Sequence, residues 1–262
     1  MRSFLLSSVL RAHDRTPHFR GKLSLVRLGQ RLMGEVPVRT AWGVRMLSTP
    51  KDFTNSLSVT GAYTDVYSFL DFLEPGMCFI DVGANAGVFS LVAAQRVGPE
   101  GSVIAFEPSP PMFRRLVHNA ELNGVANFFP LQVALGEKTQ LVKFHPGGAA
   151  HTGLAHVGDD GTCSVIQSTY KDLETIISPL IGDRKIAIKI DVEGYELNVA
   201  RSLLPLFGSS RISFVIVEVD HEYLSRSRAT ATELYALMNS AGFRAEIGYR
   251  EAGHYNELFR RD

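Results

Sequence analysis

The chain is poor in the residue types that mark several functional classes. Its two cysteines, Cys78 and Cys163, stand far apart without a C-x-x-C partner, which argues against a thiolate zinc site or a disulfide framework and suits a reducing, cytoplasmic setting. Charge of either sign is balanced, 27 basic against 27 acidic side chains, so no global field is present to hold nucleic acid or an anionic membrane, and no nucleic-acid partner is expected. No apolar run approaches the ~18 residues of a spanning helix. The Phe4 to Leu10 stretch is short and lacks an A-x-A-like cleavage site, so a soluble protein is expected. Internal repeats and low-complexity tracts are missing as well. What is present is an ordinary globular composition, 45% hydrophobic and 21% charged, enough to bury a substantial core.

Residues 1 to about 34 carry Arg2, Arg11, Arg15, Arg20, Lys22, Arg27 and Arg31 against Asp14 alone, with leucines at roughly helical spacing. This basic arm reads as a solvated helix lying on the domain; contact with a partner or a membrane surface is the alternative. Short strands are expected from Val36 to Thr60, and a helix around Tyr63 to Leu73, stopped by Pro75-Gly76. Residues 1–60 thus form an N-terminal extension to a domain spanning 61–262.

In that domain strands and helices alternate. M-C-F-I-D-V, S-V-I-A-F-E, F-F-P-L-Q-V-A-L, K-I-A-I-K-I-D and I-S-F-V-I-V-E-V are strands, and F-R-A-E-I-G-Y and Y-N-E-L-F close the sheet. The helices between them are V-F-S-L-V-A-A-Q, P-M-F-R-R-L-V-H-N-A, Lys171 to Ile177, Glu196 to Leu204, and Ala231 to Ser240 with Gly242 as its C-cap. Such alternation implies an α/β doubly wound sheet with parallel pairing through right-handed crossovers. Residues 137 to 165, rich in glycine and carrying His145, His151 and His156, interrupt it as a hairpin-and-loop insertion that could act as a lid over the site.

In an open parallel sheet, ligands bind at the carboxyl ends of the strands. The first core strand ends in F-I-D-V-G-A-N-A-G, with Asp81, Gly83, Asn85 and Gly87. The glycines permit a tight turn and close backbone approach, the next helix offers free N–H groups to a carboxylate, and Asp81 can receive an ammonium. Further on, A-F-E-P places Glu107 where a carboxylate can accept both ribose hydroxyls. Together they suit a nucleoside that carries an amino acid. A dinucleotide fits less well, since Asn85 and Val88 occupy the second and third glycine places of G-x-G-x-x-G. A nicotinamide-dependent oxidoreductase and a non-catalytic nucleoside-binding module remain as alternatives.

The run F-I-D-V-G-A-N-A-G-V-F-S-L, then V-I-A-F-E-P-S-P, H-N-A-E-L-N and K-I-D-V-E-G-Y-E resembles the FkbM family of methyltransferases over residues 60 to 220. The resemblance implies a class I methyltransferase (Rossmann-like) fold of about seven strands, the last antiparallel, with S-adenosylmethionine as cofactor. It implies O-methylation of a sugar, glycan or secondary metabolite. By position, Asp81, Gly83, Asn85 and Gly87 would hold the methionine end and Glu107 the ribose, with Val133 and Ala134 beside the adenine. One departure is visible: Lys171 stands where the family often has an acid in T-L-D-D-L.

Methyl transfer from a sulfonium is an in-line displacement, for which alignment can supply ~7–11 kcal/mol and general-base assistance about 10²–10⁴-fold. The candidates lie in K-I-D-V-E-G-Y-E and V-I-V-E-V-D-H: Asp191 bordering cofactor and acceptor, and Glu193, Glu218 or His221 taking the proton. On neighbouring strands Asp191 and Glu218 would lie roughly 5–10 Å apart. The site is expected to work without a metal; an oxygen-ligated Mg²⁺ on the same carboxylates is the alternative. Trp42 and Tyr63 are read as packing aromatics, and the acceptor's identity and the oligomeric state are not encoded in any motif.

Overall fold

A computed structural model describes residues 8, 35–48, 68–148 and 152–261. Most of the basic arm, the segment from 49 to 67 with Tyr63, and His151 lie outside the described residues. Strands β1 (Val36–Arg39) and β2 (Arg45–Ser48) form an antiparallel hairpin around Gly43. The described part of the helix expected before Pro75 is a short 3-10 turn, Ser68–Phe72.

The core then builds as β3 (Cys78–Val82), α1 (Val88–Val97), β4 (Ser102–Phe106), α2 (Pro110–Asn123) and β5 (Phe128–Leu131). Strands β6 (Ala134–Leu135), β7 (Gln140–His145), β8 (His156–Val157) and β9 (Cys163–Ser168) form a separate small sheet of order β6-β9-β7-β8. The chain returns through α3 (Tyr170–Ile181), β10 (Ile186–Ile190), α4 (Glu196–Ser202), α5 (Leu204–Phe207), β11 (Ile212–Asp220), α6 (His221–Arg226), α7 (Ala231–Ser240), β12 (Arg244–Ala245) and β13 (His254–Arg260).

The main sheet has seven strands in the order β12-β13-β11-β10-β3-β4-β5, with β13 antiparallel to its neighbours. This is the doubly wound α/β architecture expected of a class I methyltransferase. Its direction of winding reverses between β3 and β10, which places a ligand crevice at their carboxyl ends. Every residue of β3, β4 and β10 is buried, as parallel strands covered on both faces require. On one face Phe79, Ala187, Phe214 and Ile216 pack under α1; on the other Ile80, Ile188, Val215 and Val217 pack under α4 and α7.

Three sequence expectations change. F-F-P-L-Q-V-A-L is not one strand: Val133 N–H donates to Leu131 at 3.0 Å, the chain bends, and Ala134–Leu135 pair with β9 in the small sheet. Pro130 is tolerated in β5 because that strand is the sheet edge. F-R-A-E-I-G-Y pairs only at Arg244–Ala245. Beyond it the fully buried Glu257 carboxylate accepts from Ile247 N–H at 2.8 Å and Gly248 N–H at 2.9 Å, pulling these groups out of the ladder. His221 is not on a loop but opens α6, whose first N–H groups are capped by Asp220 at 2.9 and 3.0 Å.

Two asparagines of α2 hold the N-terminal hairpin against the sheet. Buried Asn119 accepts from Leu47 N–H and donates to the Ala86 carbonyl, both at 2.8 Å, while Asn123 accepts from Arg45 N–H and donates to its carbonyl. Asn119→Ala would leave two backbone groups without partners, and urea unfolding should show a loss of about 1–3 kcal/mol. An unchanged midpoint would mean that water satisfies both groups and the hairpin is not anchored there.

Candidate active site

The turn after β3 is pinned to β4: Gly83 and Ala84 N–H groups both donate to the Phe106 carbonyl, at 3.0 and 2.9 Å. Gly83 (φ +85°) has no space for a side chain, because a Cβ would lie 1.8 Å from the Asp191 carbonyl oxygen. Gly87 (φ +91°) is likewise closed, against Leu116 at 2.4 Å. The space freed by these glycines is therefore filled by the chain itself, and the turn seats directly on the end of β10. Asn85 also takes a left-handed conformation (φ +51°), its side chain accepting from Ala86 N–H at 2.7 Å. Helix α1 follows Gly87 as its N-cap, without a side-chain cap for its first-turn N–H groups.

Glu107 lies at the end of β4, nine-tenths buried, with one oxygen accepting from Asn85 N–H at 2.7 Å and the other from Ser109 N–H at 2.8 Å. Burial pushes its carboxyl up to about 7, against those two donors. Asp81 is placed differently from expectation. It is completely buried, accepts from Ser90 Oγ at 2.5 Å, and faces the Lys189 ammonium at 3.4 Å, so the ammonium it meets belongs to the protein. Val133, expected beside the adenine, packs in the main core, and Ala134, expected with it, packs against Phe144 and Val165 of the small sheet.

Lys189 pairs in register with Asp81 across β10 and β3, and its Nζ also lies 3.0 Å from Asp191 and 4.8 Å from the centre of the Phe89 ring. Burial pulls this ammonium down, but the charges of Asp191 and Asp81 outweigh it and hold Lys189 protonated. Beyond Asp191 the chain makes a tight loop. The buried Glu196 carboxylate accepts from Val192 N–H at 3.1 Å and Gly194 N–H at 3.0 Å; Gly194 (φ +107°) lies where a Cβ would meet the Tyr223 carbonyl at 2.3 Å. That loop sets Glu193 in a left-handed conformation, φ +58°.

The result is convergence. Carboxylate oxygens of Asp191, Glu193 and Glu218, from the end of β10, the loop and β11, lie within 4.8 Å of one another. Burial, then the charges of Glu218 and Asp191, push Glu193 far above the ordinary carboxylate range. Burial and Asp191 raise Glu218 too, with His254 opposing. His254, the first residue of β13, sits 3.1 Å from Glu218 and 3.2 Å from Asp220. Its hydrogen bond to Glu218 raises it, against partial burial, to about 9, so it is an imidazolium at neutral pH.

His221 does not join this cluster: its ring packs against Tyr249 and Tyr255. Tyr255 alternates with His254 along β13 and lies on the opposite face of the sheet. His254, Glu196 and Ser90 were not among the residues expected from sequence. The signal for His254 was present, since an antiparallel last strand brings its first residue to the edge where the parallel strands end. Lys171, the departure from the family pattern, is an exposed helix residue paired with Glu174 at 2.6 Å.

Lys189→Met should cost about 3–5 kcal/mol in urea unfolding, because Asp81 would keep a buried charge with no cation beside it. A loss below about 1 kcal/mol would show that the two acids do not depend on this ammonium.

Two curated relatives share part of this chain. The hexuronic acid methyltransferase AglP of Haloferax volcanii is 30% identical over 139 residues, 53% of this chain and 54% of that protein. The 31-O-demethyl-FK506 methyltransferase FkbM of Streptomyces tacrolimicus is 33% identical over 156 residues, 48% of this chain and 59% of that protein. Each match thus spans little more than half the relative's length. Among solved structures, Aeropyrum pernix fibrillarin with natively bound S-adenosyl-L-methionine superposes with a TM-score of 0.45 at 13% identity, over 90% of this chain and 86% of that one. The methyltransferase FkbM domain model matches residues 81–245, from the first acid of the site to the last residue of β12. By that match, across well over half its length, the chain belongs to the FkbM family of methyltransferase domains.

Proposed function

We propose that this chain transfers a methyl group from S-adenosylmethionine to a hydroxyl of a sugar, glycan or secondary metabolite. The observation that carries the proposal is the meeting, at one sheet edge, of a nucleoside-sized grip and a carboxylate cluster. Glu107 supplies the ribose acceptor, and the turn from Gly83 to Gly87 with the uncapped start of α1 supplies N–H groups for an amino-acid carboxylate. Asp81 acts from behind, holding Lys189 and through it Asp191. Val133 borders the adenine side. The names of AglP, a hexuronic acid methyltransferase, and FkbM, a 31-O-demethyl-FK506 methyltransferase, support an oxygen-bearing acceptor.

When bound, S-adenosylmethionine supplies an electrophilic methyl on a sulfonium. The acceptor oxygen forms the new C–O bond as the C–S bond breaks, and the hydroxyl proton must leave. Asp191 touches the turn through its backbone carbonyl beside Gly83 and belongs to the cluster through its carboxylate, so it is assigned the border of both reactants. Removal of the proton is assigned to the cluster of Asp191, Glu193 and Glu218, with His254 fixing Glu218; His221, facing the tyrosines, has no part in it. Among the described residues no helix is long and apolar enough to cross a membrane. Two free thiols, one buried and one exposed, suit a reducing cytoplasm.

Calorimetry with S-adenosylhomocysteine should give saturable heat, and labelled S-adenosylmethionine with a panel of uronic acids and glycosides should give a base-stable labelled ether. No binding of either nucleoside to folded protein, with binding of NADH instead, would sink the proposal in favour of an oxidoreductase; binding without turnover across the panel would favour a non-catalytic module. Because the ionised form of Glu107 is the better acceptor and its carboxyl titrates at about 7, affinity for S-adenosylhomocysteine should be full above that pH. It should weaken by up to about tenfold per unit below it. Glu107→Gln should bind more weakly at pH 8 and lose this dependence; a parallel pH profile in the variant would remove Glu107 from the cofactor site.

A further inference from the structure

The three carboxylates at the acceptor side share a pattern that general-base chemistry does not require. Asp191 and Glu218 are each held by a cation through one oxygen, which leaves the other for a ligand. Lys189 takes one oxygen of Asp191 at 3.0 Å, and His254 takes one oxygen of Glu218 at 3.1 Å. Glu193 is aimed by its left-handed backbone and by the loop that Glu196 closes, and its carboxylate has neither a hydrogen-bond nor an ion-pair partner among the described residues. The other oxygen of Glu218 is the decisive one. This side chain is only 8% exposed, yet its Oε2 is buried with no hydrogen-bond partner, an unfavourable arrangement for a carboxylate unless something binds it.

We infer that Asp191, Glu193 and Glu218 hold a hard divalent cation, Mg²⁺ or Mn²⁺, through their free oxygens. The donor set is oxygen only, which selects Mg²⁺, Mn²⁺ or Ca²⁺ over zinc or copper. Ligand oxygens on one such ion stand no more than about 4–5 Å apart, and one carboxylate oxygen from each of these three residues lies within 4.8 Å of the others, close enough to gather on an ion with a small adjustment. Charge agrees: among the described residues Lys189 is paired with two carboxylates, Asp81 and Asp191, and His254 with two more, Glu218 and Asp220, while Glu193 is paired with neither cation. Lys189 and His254 then serve as the outer partners that orient metal-binding carboxylates.

Three protein ligands leave positions open on an ion that prefers six or more. Two neighbouring oxygens of an acceptor can fill them, which selects sugars and uronic acids bearing adjacent hydroxyl or carboxylate groups over isolated alcohols. The ion would draw charge from the hydroxyl to be methylated, so that its proton passes more readily to a carboxylate oxygen of the cluster that the ion leaves free, such as the second oxygen of Glu193. This acceptor role rests on the methyl-transfer reading, whereas cation binding itself does not.

The test is a Mn²⁺ titration of the full chain followed by electron paramagnetic resonance, with Mg²⁺ as competitor and S-adenosylhomocysteine calorimetry alongside. One saturable site displaced by Mg²⁺ is expected, weakened at least tenfold in Glu193→Gln and in Glu218→Gln. Both variants should still bind S-adenosylhomocysteine, and Glu121→Gln, an exposed residue on α2, should titrate like the parent. No Mn²⁺ binding at millimolar concentration in protein that binds S-adenosylhomocysteine would overturn the inference while leaving the methyltransferase proposal standing. So would a site indifferent to both substitutions. Loss of nucleoside binding with the Mn²⁺ site intact would instead count against the methyltransferase reading alone.

Discussion

Lys189 carries its ammonium into the carboxyl edge of the sheet, between Asp81 on the neighbouring strand and Asp191 at the end of its own. All three are placed by parallel register: Lys189 stands opposite Asp81 because β10 and β3 pair residue for residue from Ile186 and Cys78 onward. A lysine and a carboxylate this deep would each be prohibitive alone. Together they form a bridge that joins the turn after β3 to the loop after β10, the two segments that make the crevice. The same contact region has a steric counterpart, since the Asp191 carbonyl occupies the space a side chain at Gly83 would need.

Two functional halves follow from this bridge. On the β4 side lie Glu107 and the start of α1, the groups proposed to hold the cofactor. On the β11 side, the carboxylates crowd together, kept apart in role by what lies behind each. Asp191 is charge-paired to Lys189, Glu218 is tied to His254, and Glu193 is held only by backbone geometry. A left-handed glutamate costs of order 1–3 kcal/mol, a strain the buried Glu196 clasp and the closely packed Gly194 keep in place.

The glycine turn, the acid at the end of β4, the alternation of strands and helices and the family likeness were legible in the chain because each is a local pattern. Strand ends and turns announce themselves in V-G-A-N-A-G and A-F-E-P whatever lies opposite them. The division of F-F-P-L-Q-V-A-L between two sheets was not legible, because both halves are apolar and only tertiary pairing separates them. Nor was the truncation of the sixth strand, which depends on a buried carboxylate ten residues further along the chain.

Sequence by itself therefore determined the fold class, the crevice-forming turn and the acids that line it, since hydrophobic periodicity and glycine placement act over a few residues. Tertiary structure alone decided which partners those acids have. It turned Asp81 inward to a lysine, sent His221 to the tyrosines on the far face, and brought His254 from near the C-terminus to Glu218. These outcomes depend on strand register and on which face of the sheet alternate residues occupy, and a one-residue slip of β13 would turn His254 away from Glu218 and bring Tyr255 to that face.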